Sequence, residues 1–290
     1  MVLGPRGARR YRLYLPAGSR EAVPLPLLVM LHGCDQDAAS FAASTRMNRV
    51  AEREQFAVLY PEQDRVSNLH GCWNWFDLDS GRAQAEATSV LHAIDRVCHL
   101  HPVDPSAVAI AGLSAGASLA ALLAVAHPAR FCAVALHSGV PPGSAHSPAG
   151  ALRAMRGRAR SVPVPAPAAT ADEAPPWPPL LVLHGSRDLV VAPSNGRETA
   201  LRWAEACGAT PQAPRHEQRG QRHALCVTDF NVGRRPRVTL VEVVGLGHAW
   251  SGGAASLRYG DARGPDASRR VWRFVATQLR ERAARTRNRP

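Results

Sequence analysis

The 290-residue sequence contains no lysine, so all 35 of its basic residues are arginine, and with 23 acidic residues the formal net charge is +12. It has no three- or seven-residue repeat, which excludes collagen and coiled-coil classes. Hydrophobic residues make up 46% of the chain and recur in regularly spaced runs, so a disordered chain is also excluded. The sequence shows no zinc finger, RNP sequence or basic zipper in which the arginines would be clustered. We therefore expect no specific nucleic-acid partner.

The sequence also lacks a convincing membrane span or metal site. Residues 107–126 hold no charged side chain, but Gly112 and Gly116 interrupt them and alanine dominates. A buried strand, turn and helix fit this stretch better than a membrane span. The run Cys98-His99-Leu100-His101 lies at a predicted helix end with the wrong geometry for a four-ligand site. We expect no metal, no cofactor and no membrane span; the oligomeric state is left open.

Short apolar runs alternate with segments of helical spacing. The continuous apolar run Leu25 to Leu31 is typical of a strand covered on both faces. This alternation predicts the α/β class, with a mostly parallel central sheet and helices on both faces. The predicted strands are 11–15, 25–31, 56–60, 107–111, 131–136, 180–184 and 238–243, and the predicted helices are 40–54, 83–101, one that ends at 127, 195–207 and 266–283.

Two regions depart from this alternation. Residues 141–179 are rich in proline and alanine and poor in pattern, which favours a long surface loop over a second domain. Residues 280–290 form an arginine-rich C-terminal tail. We expect a single domain over residues 1–290 that carries this loop and this tail.

The pentapeptide Gly112-Leu113-Ser114-Ala115-Gly116 matches the nucleophile elbow G-x-S-x-G. The glycines allow a backbone corner so tight that side chains would clash, and such a corner lifts the serine hydroxyl above the sheet edge. A predicted strand precedes the elbow and a helix of small residues follows it. Ser114 is therefore the candidate nucleophile, against the alternative of an incidental serine in a glycine-rich turn.

A serine hydroxyl needs a base to take its proton, and the base needs an acid to fix its tautomer. In this fold the acid and then the histidine follow the serine, each in a loop after a later strand. Asp188 lies just beyond the predicted strand 180–184, and His248 lies in a glycine-flanked loop beyond 238–243. We predict that Ser114, Asp188 and His248 form a catalytic triad. The alternatives are a turn aspartate and a hydrogen-bonded loop histidine.

An oxyanion hole combines the amide after the nucleophile with one from an early strand-end loop. These are the amide of Ala115 and one in the turn His32-Gly33-Cys34, where Cys34 is the best placed. His32 follows the strand and is expected to brace this loop beside the substrate rather than transfer protons. His137 and His184, also at strand ends, have the same interpretation.

Residues 32–34 read HGC and residues 72–76 read CWNWF, in addition to the elbow and the loops of Asp188 and His248. Together these motifs make the chain similar to a known family, the polyhydroxybutyrate (PHB) depolymerase family of esterases within the α/β-hydrolase fold. The paired HGC and CWNWF strings are more specific than the elbow. The resemblance implies ester hydrolysis through an acyl-enzyme, with Ser114, Asp188 and His248 as the triad. Asp35 and Ala117 depart from the family pattern, as does the reduced turn Gly81-Arg82, which puts the rim of the substrate site in doubt. The matching stretches are 31–34, 72–76, 112–116, 137–139, 184–188 and 247–253.

The substrate implied by the resemblance is a short-chain hydroxyalkanoate polyester or oligoester. One alternative keeps the triad but acts on feruloyl or acetyl esters of plant polysaccharide. A second alternative, from another class, is a non-catalytic hydrolase-fold binding protein, against which the intact Ser-Asp-His order argues. Trp73, Trp75 and Trp250, with Phe76 and His32, are candidates to line the substrate pocket. Core packing is the alternative for Trp75 and Phe76, whereas Trp73 and Trp250 adjoin predicted catalytic loops and are expected at the rim.

The resemblance also bears on the six cysteines and on the compartment. Cys34 and Cys72 lie in the two motifs expected to flank the site, and we predict that they are bridged. Cys207 and Cys226 flank a polar, arginine-rich segment and look like a second pair, and Cys98 and Cys132 are expected to be buried thiols. Disulfides and the resemblance favour an extracellular protein. Residues 1–15 contain no apolar segment of signal-peptide length. The two interpretations left open are a trimmed mature form and a cytoplasmic protein.

Overall fold

The computed structural model describes residues 1–4, 7–19, 23–158 and 177–287. The strands are β1 (Val2–Gly4), β2 (Gly7–Arg9), β3 (Tyr11–Tyr14), β4 (Leu25–Leu31), β5 (Ala57–Pro61), β6 (Val103–Leu113), β7 (Ala133–His137), β8 (Leu180–Gly185), β9 (Thr210–Pro211), β10 (Arg215–Glu217), β11 (Leu225–Val232), β12 (Arg235–Val243), β13 (Trp250–Ser251) and β14 (Gly260–Asp261). The α-helices are α1 (Ala38–Thr45), α2 (Met47–Glu54), α3 (Arg82–Leu100), α4 (Ala115–Ala126), α5 (Pro148–Met155), α6 (Ser194–Ala206) and α7 (Ala267–Arg287), and a 3-10 turn spans Pro128–Arg130.

The central sheet has the order β10-β11-β12-β8-β7-β6-β4-β5-β3, and β9 pairs with β11 beside it. The strands from β12 to β5 in this order run parallel to their neighbours, whereas β3 at one edge and β9, β10 and β11 at the other are antiparallel. Parallel strands end at the same edge of a sheet, so the loops after β4, β6, β8 and β12 come together there. The predicted class, a mostly parallel sheet with helices on both faces, is confirmed.

Each face of the sheet carries its own hydrophobic core. On β4, Leu27, Val29 and Leu31 point into the core under α3, α4 and α6. The alternate residues Leu28 and Met30 point into the core under α1, α2 and α7. All five are fully buried. This double burial explains why the strand is an unbroken apolar run rather than an alternation of apolar and polar residues.

The predicted helix 40–54 is two helices, α1 and α2, separated at Arg46. Arg46 has the left-handed conformation, with φ 55°, and its amide donates to Ala42 O. The carbonyls just before the break have distant partners, because Ser44 O accepts from Ala254 N and Thr45 O accepts from Ser268 Oγ. A continuous helix would use these carbonyls internally. The break therefore joins α1 to the C-terminal part of the chain.

The antiparallel strands β9, β10 and β11 occupy a segment that the sequence analysis did not assign to the sheet. β11 alternates buried residues such as Leu225 and Val227 with half-buried polar ones such as Thr228, and it pairs with β12 along its length. Because one side of this edge is only partly covered, the strand lacks the apolar run that reveals the central strands.

Helices extend into both regions that depart from the predicted alternation of strands and helices. In the expected loop 141–179, α5 begins after Ser147, whose hydroxyl accepts from the Gly150 amide. Residues 159–176 of that loop lie outside the described residues. At the other end, α7 continues through most of the expected tail to Arg287, and 288–290 are likewise outside. Among the described residues, no helix is both long enough and apolar enough to cross a membrane.

Candidate active site

The elbow lies between β6 and α4, and its glycines leave no room for side chains. A Cβ on Gly112 would lie 2.4 Å from the carbonyl carbon of Gly116, and one on Gly116 would lie 2.2 Å from Leu31 O on the neighbouring strand. Ser114 adopts φ 56° and ψ −121°, a conformation that side chains rarely take. Strain of this kind is held in place by the surrounding structure and concentrates at functional sites.

Two neighbouring elements fix the Ser114 backbone. The Ser114 amide donates to His137 O on β7 at 2.9 Å, and Ser114 O accepts from the Ser118 amide in α4 at 3.0 Å. Ser114 as a whole is 8% exposed. The next residue, Ala115, begins α4, and its amide therefore belongs to the positive end of that helix.

Asp188 is a fully buried carboxylate in the loop after β8. Its Oδ1 accepts from the Val190 amide at 3.0 Å and from the Val191 amide at 2.8 Å. Its Oδ2 accepts from His248 Nδ1 at 2.7 Å. Burial alone would raise the pKa of Asp188, but the hydrogen bond and charge of His248, with the Val191 amide, lower it below its ordinary value. Asp188 is thus held as an anion beneath His248.

The contact with Asp188 determines which nitrogen of His248 is available. With Nδ1 donating to the carboxylate, Nε2 carries the lone pair in the neutral ring. The Tyr259 ring packs edge-on against the His248 imidazole, with 5.9 Å between the ring centroids. Within the described part of the chain the Ser114 hydroxyl forms no hydrogen bond, so the pairing of Ser114 with His248 stays a prediction.

The turn predicted to supply the oxyanion amide lies directly against the elbow. A Cβ on Gly33 would lie 3.5 Å from Ser114 Cβ, and the Gly33 amide donates to Gln36 Oε1 at 3.0 Å. Cys34 is joined by a disulfide to Cys72, as predicted, with a Cα–Cα distance of 4.3 Å. The bridge ties the turn to the loop that carries Trp73. The assignment of the Cys34 and Ala115 amides to an oxyanion hole stays a prediction.

His32 braces this turn and does not contact solvent. Its Nδ1 donates to Gly33 O at 2.8 Å, and its Nε2 accepts from the Gln63 amide at 3.0 Å. Burial lowers the pKa of His32, which keeps the ring neutral. The bracing role predicted for His32 matches these contacts, but its inclusion among substrate-contacting residues is wrong, because the side chain is fully buried.

The rim positions predicted for Trp73 and Trp250 are also wrong. Trp73 is fully buried, and its Nε1 donates to His32 O at 3.0 Å. Trp250 is 1% exposed, donates from Nε1 to Ser268 Oγ at 3.0 Å and meets Phe41 edge-on. Each indole finds its hydrogen-bond partner inside the protein, so both support the site loops from behind.

Trp75 is the most exposed of the three tryptophans that were predicted to line the substrate pocket. It is 9% exposed and packs edge-on against the half-buried Phe76 at a centroid distance of 5.6 Å. Both belong to the core under α3 and α4, as the alternative interpretation expected. Contact of Trp75 with substrate stays a prediction.

His137 and His184 are structural, in line with the expectation for strand-end histidines. His137 accepts the Ser251 amide on Nε2 at 3.2 Å and stacks on Trp250, so it holds the chain just after His248. Burial lowers the pKa of His137 to about 3. His184 donates from Nε2 to Val191 O at 2.9 Å, behind Asp188, and burial lowers its pKa as well.

A buried carboxylate that the sequence analysis missed organises the two loops beside the elbow. Glu86 on α3 is fully buried, and its Oε1 accepts from Asn74 Nδ2 and from Gln63 Nε2, both at 2.7 Å. Its Oε2 accepts from the Asn74 amide at 2.8 Å. The CWNWF string contains Asn74, but nothing in the sequence identifies Glu86 as its partner.

The predicted second disulfide, between Cys207 and Cys226, is wrong, because both are free thiols. Cys98 and Cys132 are also free thiols; Cys132 is buried as expected, whereas Cys98 is only half-buried. The Cys207 sulfur lies 3.8 Å from Trp177 O, just before β8 begins. Cys226 pairs with Glu242, which pairs in turn with His184 near the end of β8. Trp177 and His184 are seven residues apart, and a strand rises about 3.3 Å per residue, so the two cysteines lie near opposite ends of the strands. A bridge needs Cα atoms within about 7 Å.

A parallel sheet with an elbow serine after a central strand places the protein among the α/β-hydrolases. The family described as Esterase PHB depolymerase matches residues 9–213, and the chain belongs to this family. The matched range contains Ser114 and Asp188 and ends before His248.

Individual relatives fall into two groups by name. Poly(3-hydroxyalkanoate) depolymerase C of Paucimonas lemoignei is 37% identical over 183 residues, which cover 60% of this chain and 43% of that protein. Probable acetylxylan esterase A of Aspergillus fumigatus is 25% identical over 258 residues, or 84% of this chain and 66% of that protein. The chain therefore spans less than two thirds of the length of either relative.

Solved structures agree on the fold. Acetyl xylan esterase from Aspergillus awamori matches with a TM-score of 0.67 and 20% identity, covering 82% of this chain and 88% of that one. Esterase PE8 matches with a TM-score of 0.53 and 15% identity, covering 92% and 99%. At these identities the likeness shows the fold alone.

Proposed function

We propose that this protein is a serine carboxylic-ester hydrolase that acts through an acyl-enzyme on short-chain hydroxyalkanoate oligoesters or polyester. One observation carries the proposal: His248 Nδ1 donates to the buried Asp188 carboxylate at 2.7 Å, at the sheet edge where the strained Ser114 elbow stands. A turn aspartate and an incidental loop histidine would not require this contact. Membership of the esterase family supports the same conclusion.

In the proposed reaction Ser114 Oγ attacks the ester carbonyl carbon while His248 Nε2 takes the hydroxyl proton. The imidazolium that forms is stabilised by Asp188, whose pKa is already lowered by His248. The tetrahedral intermediate collapses as His248 returns the proton to the leaving alkoxide oxygen, which releases the alcohol and leaves an acyl-Ser114 ester. Water, deprotonated by His248, then attacks the acyl carbonyl carbon. The second tetrahedral intermediate collapses as the bond to Ser114 Oγ breaks and His248 returns the proton to Oγ, which releases the acid and restores the serine.

The amides of Cys34 and Ala115 are proposed to bind the oxyanion of both tetrahedral intermediates. The Gly33 contact with Ser114 brings the first amide's turn to the elbow, and the α4 N-terminus carries the second. The Cys34–Cys72 bridge and the Trp73 bond to His32 O hold that turn in place. Donors that are fixed before the reaction need no reorganisation, and one such donor is worth about 3 kcal/mol of transition-state stabilisation.

The choice of substrate rests on the relatives. The 37% identity to a poly(3-hydroxyalkanoate) depolymerase favours a hydroxyalkanoate ester. An acetyl esterase of polysaccharide is the second candidate, because the acetylxylan esterase relative aligns over 84% of this chain. A feruloyl esterase would need the same triad with a larger acyl pocket. A hydrophobic pocket separates acyl groups by only about 1–3 kcal/mol per methylene, so the triad alone does not select among them.

A side-by-side panel tests this choice. The substrates are a p-nitrophenyl butyrate, a 3-hydroxybutyrate oligomer, an amorphous polymer suspension, acetylated xylan and methyl ferulate. We expect the oligomer and the short-chain ester to be hydrolysed best. If acetylated xylan or methyl ferulate exceeded the oligomer tenfold in kcat/KM, about 1.4 kcal/mol, the hydroxyalkanoate assignment would be abandoned.

We also propose that the protein works outside the reducing cytoplasm and that residues 1–290 form one folding unit. The Cys34–Cys72 bridge supports the first proposal, since such bonds persist in oxidising compartments. The single ten-stranded sheet, to which strands from both halves of the described chain contribute, supports the second. A single calorimetric unfolding transition is expected, and two separate transitions would contradict one folding unit.

A further inference from the structure

An arginine that the sequence analysis did not single out lies beside the candidate active site. Arg258 is exposed, with 62% of its side chain accessible, and its guanidinium carbon lies 5.0 Å from the centroid of the Tyr259 ring. The same Tyr259 ring contacts His248 edge-on. Arg258 is therefore separated from the proposed base by one aromatic ring.

The Arg258 guanidinium also contacts the turn that contains Cys34. Arg258 Nη2 lies 3.3 Å from Asp35 Oδ2, and Asp35 directly follows Cys34 in the turn that holds the proposed oxyanion amide. The two contacts together place the positive charge between the loop of His248 and the turn of Cys34.

The loop that carries Arg258 is fixed to the chain after His248. β13 and β14 pair in parallel, and the Trp250 amide donates to Tyr259 O at 2.7 Å. A Cβ on Gly260 would lie 2.2 Å from Ala254 O, so the loop closes tightly on itself. The Ala254 amide donates in turn to Ser44 O at 2.8 Å. Arg258 therefore projects from an ordered support, which favours binding because little is ordered afterwards.

Most of the hydrogen-bonding capacity of Arg258 is unused. A guanidinium has five N–H donors. Among the described residues, Asp35 is the one acidic group within 4 Å of it, and the Asp35 carboxylate is shared with His70 Nδ1 at 3.2 Å. The Arg258 side chain is 62% accessible, so a ligand in solution can reach it. The planar fork of an arginine matches a carboxylate, which it can bind through two parallel hydrogen bonds.

We propose that Arg258 forms a subsite for the free terminal carboxylate of an oligoester, so that the enzyme prefers esters that carry an acid group a few bonds from the scissile carbonyl. This inference rests on the proposed ester hydrolysis. A hydroxyalkanoate oligomer ends in such a carboxylate, whereas an acetyl or feruloyl ester of a neutral sugar has none at that position. Arg258 is thus a specificity-determining residue that favours oligomer ends.

The test compares two substrates that differ only in this charge, the 3-hydroxybutyrate dimer as free acid and its methyl ester. Both contain the same scissile ester, so the ratio of their kcat/KM values reports recognition of the carboxylate. We expect the wild-type protein to favour the acid about tenfold or more, as a charge-assisted hydrogen bond predicts. Arg258→Gln is expected to reduce this ratio to about one, and Arg258→Lys to retain part of it.

Two further variants separate the subsite from a general charge effect. Arg263→Gln removes one positive charge just after β14, five residues beyond Arg258, at a side chain that is 76% exposed, and is expected to keep the wild-type ratio. Asp35→Asn removes the carboxylate that competes for the guanidinium, and is expected to raise the ratio. A merely structural role of the Arg258–Asp35 pair would instead make Asp35→Asn and Arg258→Gln change both substrates alike.

The outcomes distinguish this inference from the proposed function. Hydrolysis of the methyl ester with an acid-to-ester ratio near one in the wild-type protein would overturn the carboxylate subsite and leave the esterase standing. An equal loss of preference in Arg263→Gln and Arg258→Gln would also overturn it. Failure to hydrolyse any ester in the panel would instead contradict the proposed function itself.

Discussion

Asp188 binds His248 through one carboxylate oxygen while its other oxygen is occupied by backbone. Oδ2 accepts from His248 Nδ1 at 2.7 Å, and Oδ1 accepts from the amides of Val190 and Val191. The carboxylate therefore cannot rotate without losing two backbone hydrogen bonds. This fixes the imidazole with Nε2 free, which is the state that a general base requires.

The first prediction concerns this contact. Asp188→Asn should lower kcat by about ten-thousandfold on short-chain esters, because an amide nitrogen favours the wrong histidine tautomer. The fold should persist, which circular dichroism and thermal unfolding can check. The matched control is Asp229→Asn, at an ion pair with Arg215 far along the sheet, which should leave kcat unchanged. Comparable activity of Asp188→Asn and the control would contradict the role given to Asp188.

The second prediction concerns pH and the buried histidines. Burial lowers the pKa of His32, His137 and His184 in the folded protein, that of His137 to about 3. In the unfolded chain each regains a pKa near 6.5 and takes up a proton below that pH. Stability should therefore be complete above about pH 6.5. It should fall as the pH drops from there toward 3, by about 1.4 kcal/mol per pH unit for His137, and His32 and His184 should act in the same direction.

Urea unfolding at pH 7, 6 and 5 measures this dependence. His137→Gln removes one of these groups, so the change in unfolding free energy between pH 6 and pH 5 should become smaller by about 1.4 kcal/mol. Asp188 acts in the same direction at lower pH, since its lowered pKa means that its contribution is lost only as the pH falls below its ordinary range. A free energy of unfolding that is flat from pH 7 to pH 5 would contradict the prediction.

The third prediction concerns the disulfide. Replacing Cys34 and Cys72 together by alanine should lower the free energy of unfolding by about 2–4 kcal/mol. It should also lower kcat, because the proposed oxyanion turn loses its link to the Trp73 loop. The paired control is Cys207→Ala with Cys226→Ala. Because these thiols are not bridged, a reductant should lower the Tm of this variant as much as it lowers the Tm of the wild-type protein. Detection of six free thiols in the unreduced, denatured protein would contradict the bridge.

The fourth prediction concerns Glu86. Glu86→Ala should destabilise the protein by about 3 kcal/mol or more, because it leaves buried donors on Asn74 and Gln63 without their acceptor. The surface carboxylate Glu198, paired with Arg202 one turn away, serves as the control, and its replacement by alanine should cost less than about 1 kcal/mol. Chemical denaturation of both variants measures the difference. Equal costs would show that the Glu86 network is not what holds these loops.

The sequence predicts the structural features that depend on residues close together along the chain. The apolar run of β4 implies burial on both faces, and the elbow glycines imply the tight corner at Ser114. The strand-end positions of Asp188 and His248 follow from the alternation of strands and helices. The structure brings these two side chains into contact at the distance that the predicted triad requires.

The features that escaped prediction have distant causes. The break at Arg46 depends on Ala254 and Ser268 taking the carbonyls of Ser44 and Thr45. Trp73 and Trp250 neighbour the site in sequence, but their N–H groups point inward to His32 O and Ser268 Oγ. Adjacency along the chain does not fix the direction of a side chain. For the same reason Cys207 and Cys226 looked like a pair although strand register separates them.

The measurement that tests the central claim most directly is covalent labelling of the nucleophile. A fluorophosphonate probe should modify the protein once, at Ser114, as read by peptide mass spectrometry, and in proportion to the loss of esterase activity. Ser114→Ala should abolish both labelling and turnover, whereas Ser106→Ala, at an exposed serine on β6, should change neither. Labelling at another serine, or full turnover by Ser114→Ala, would contradict the account.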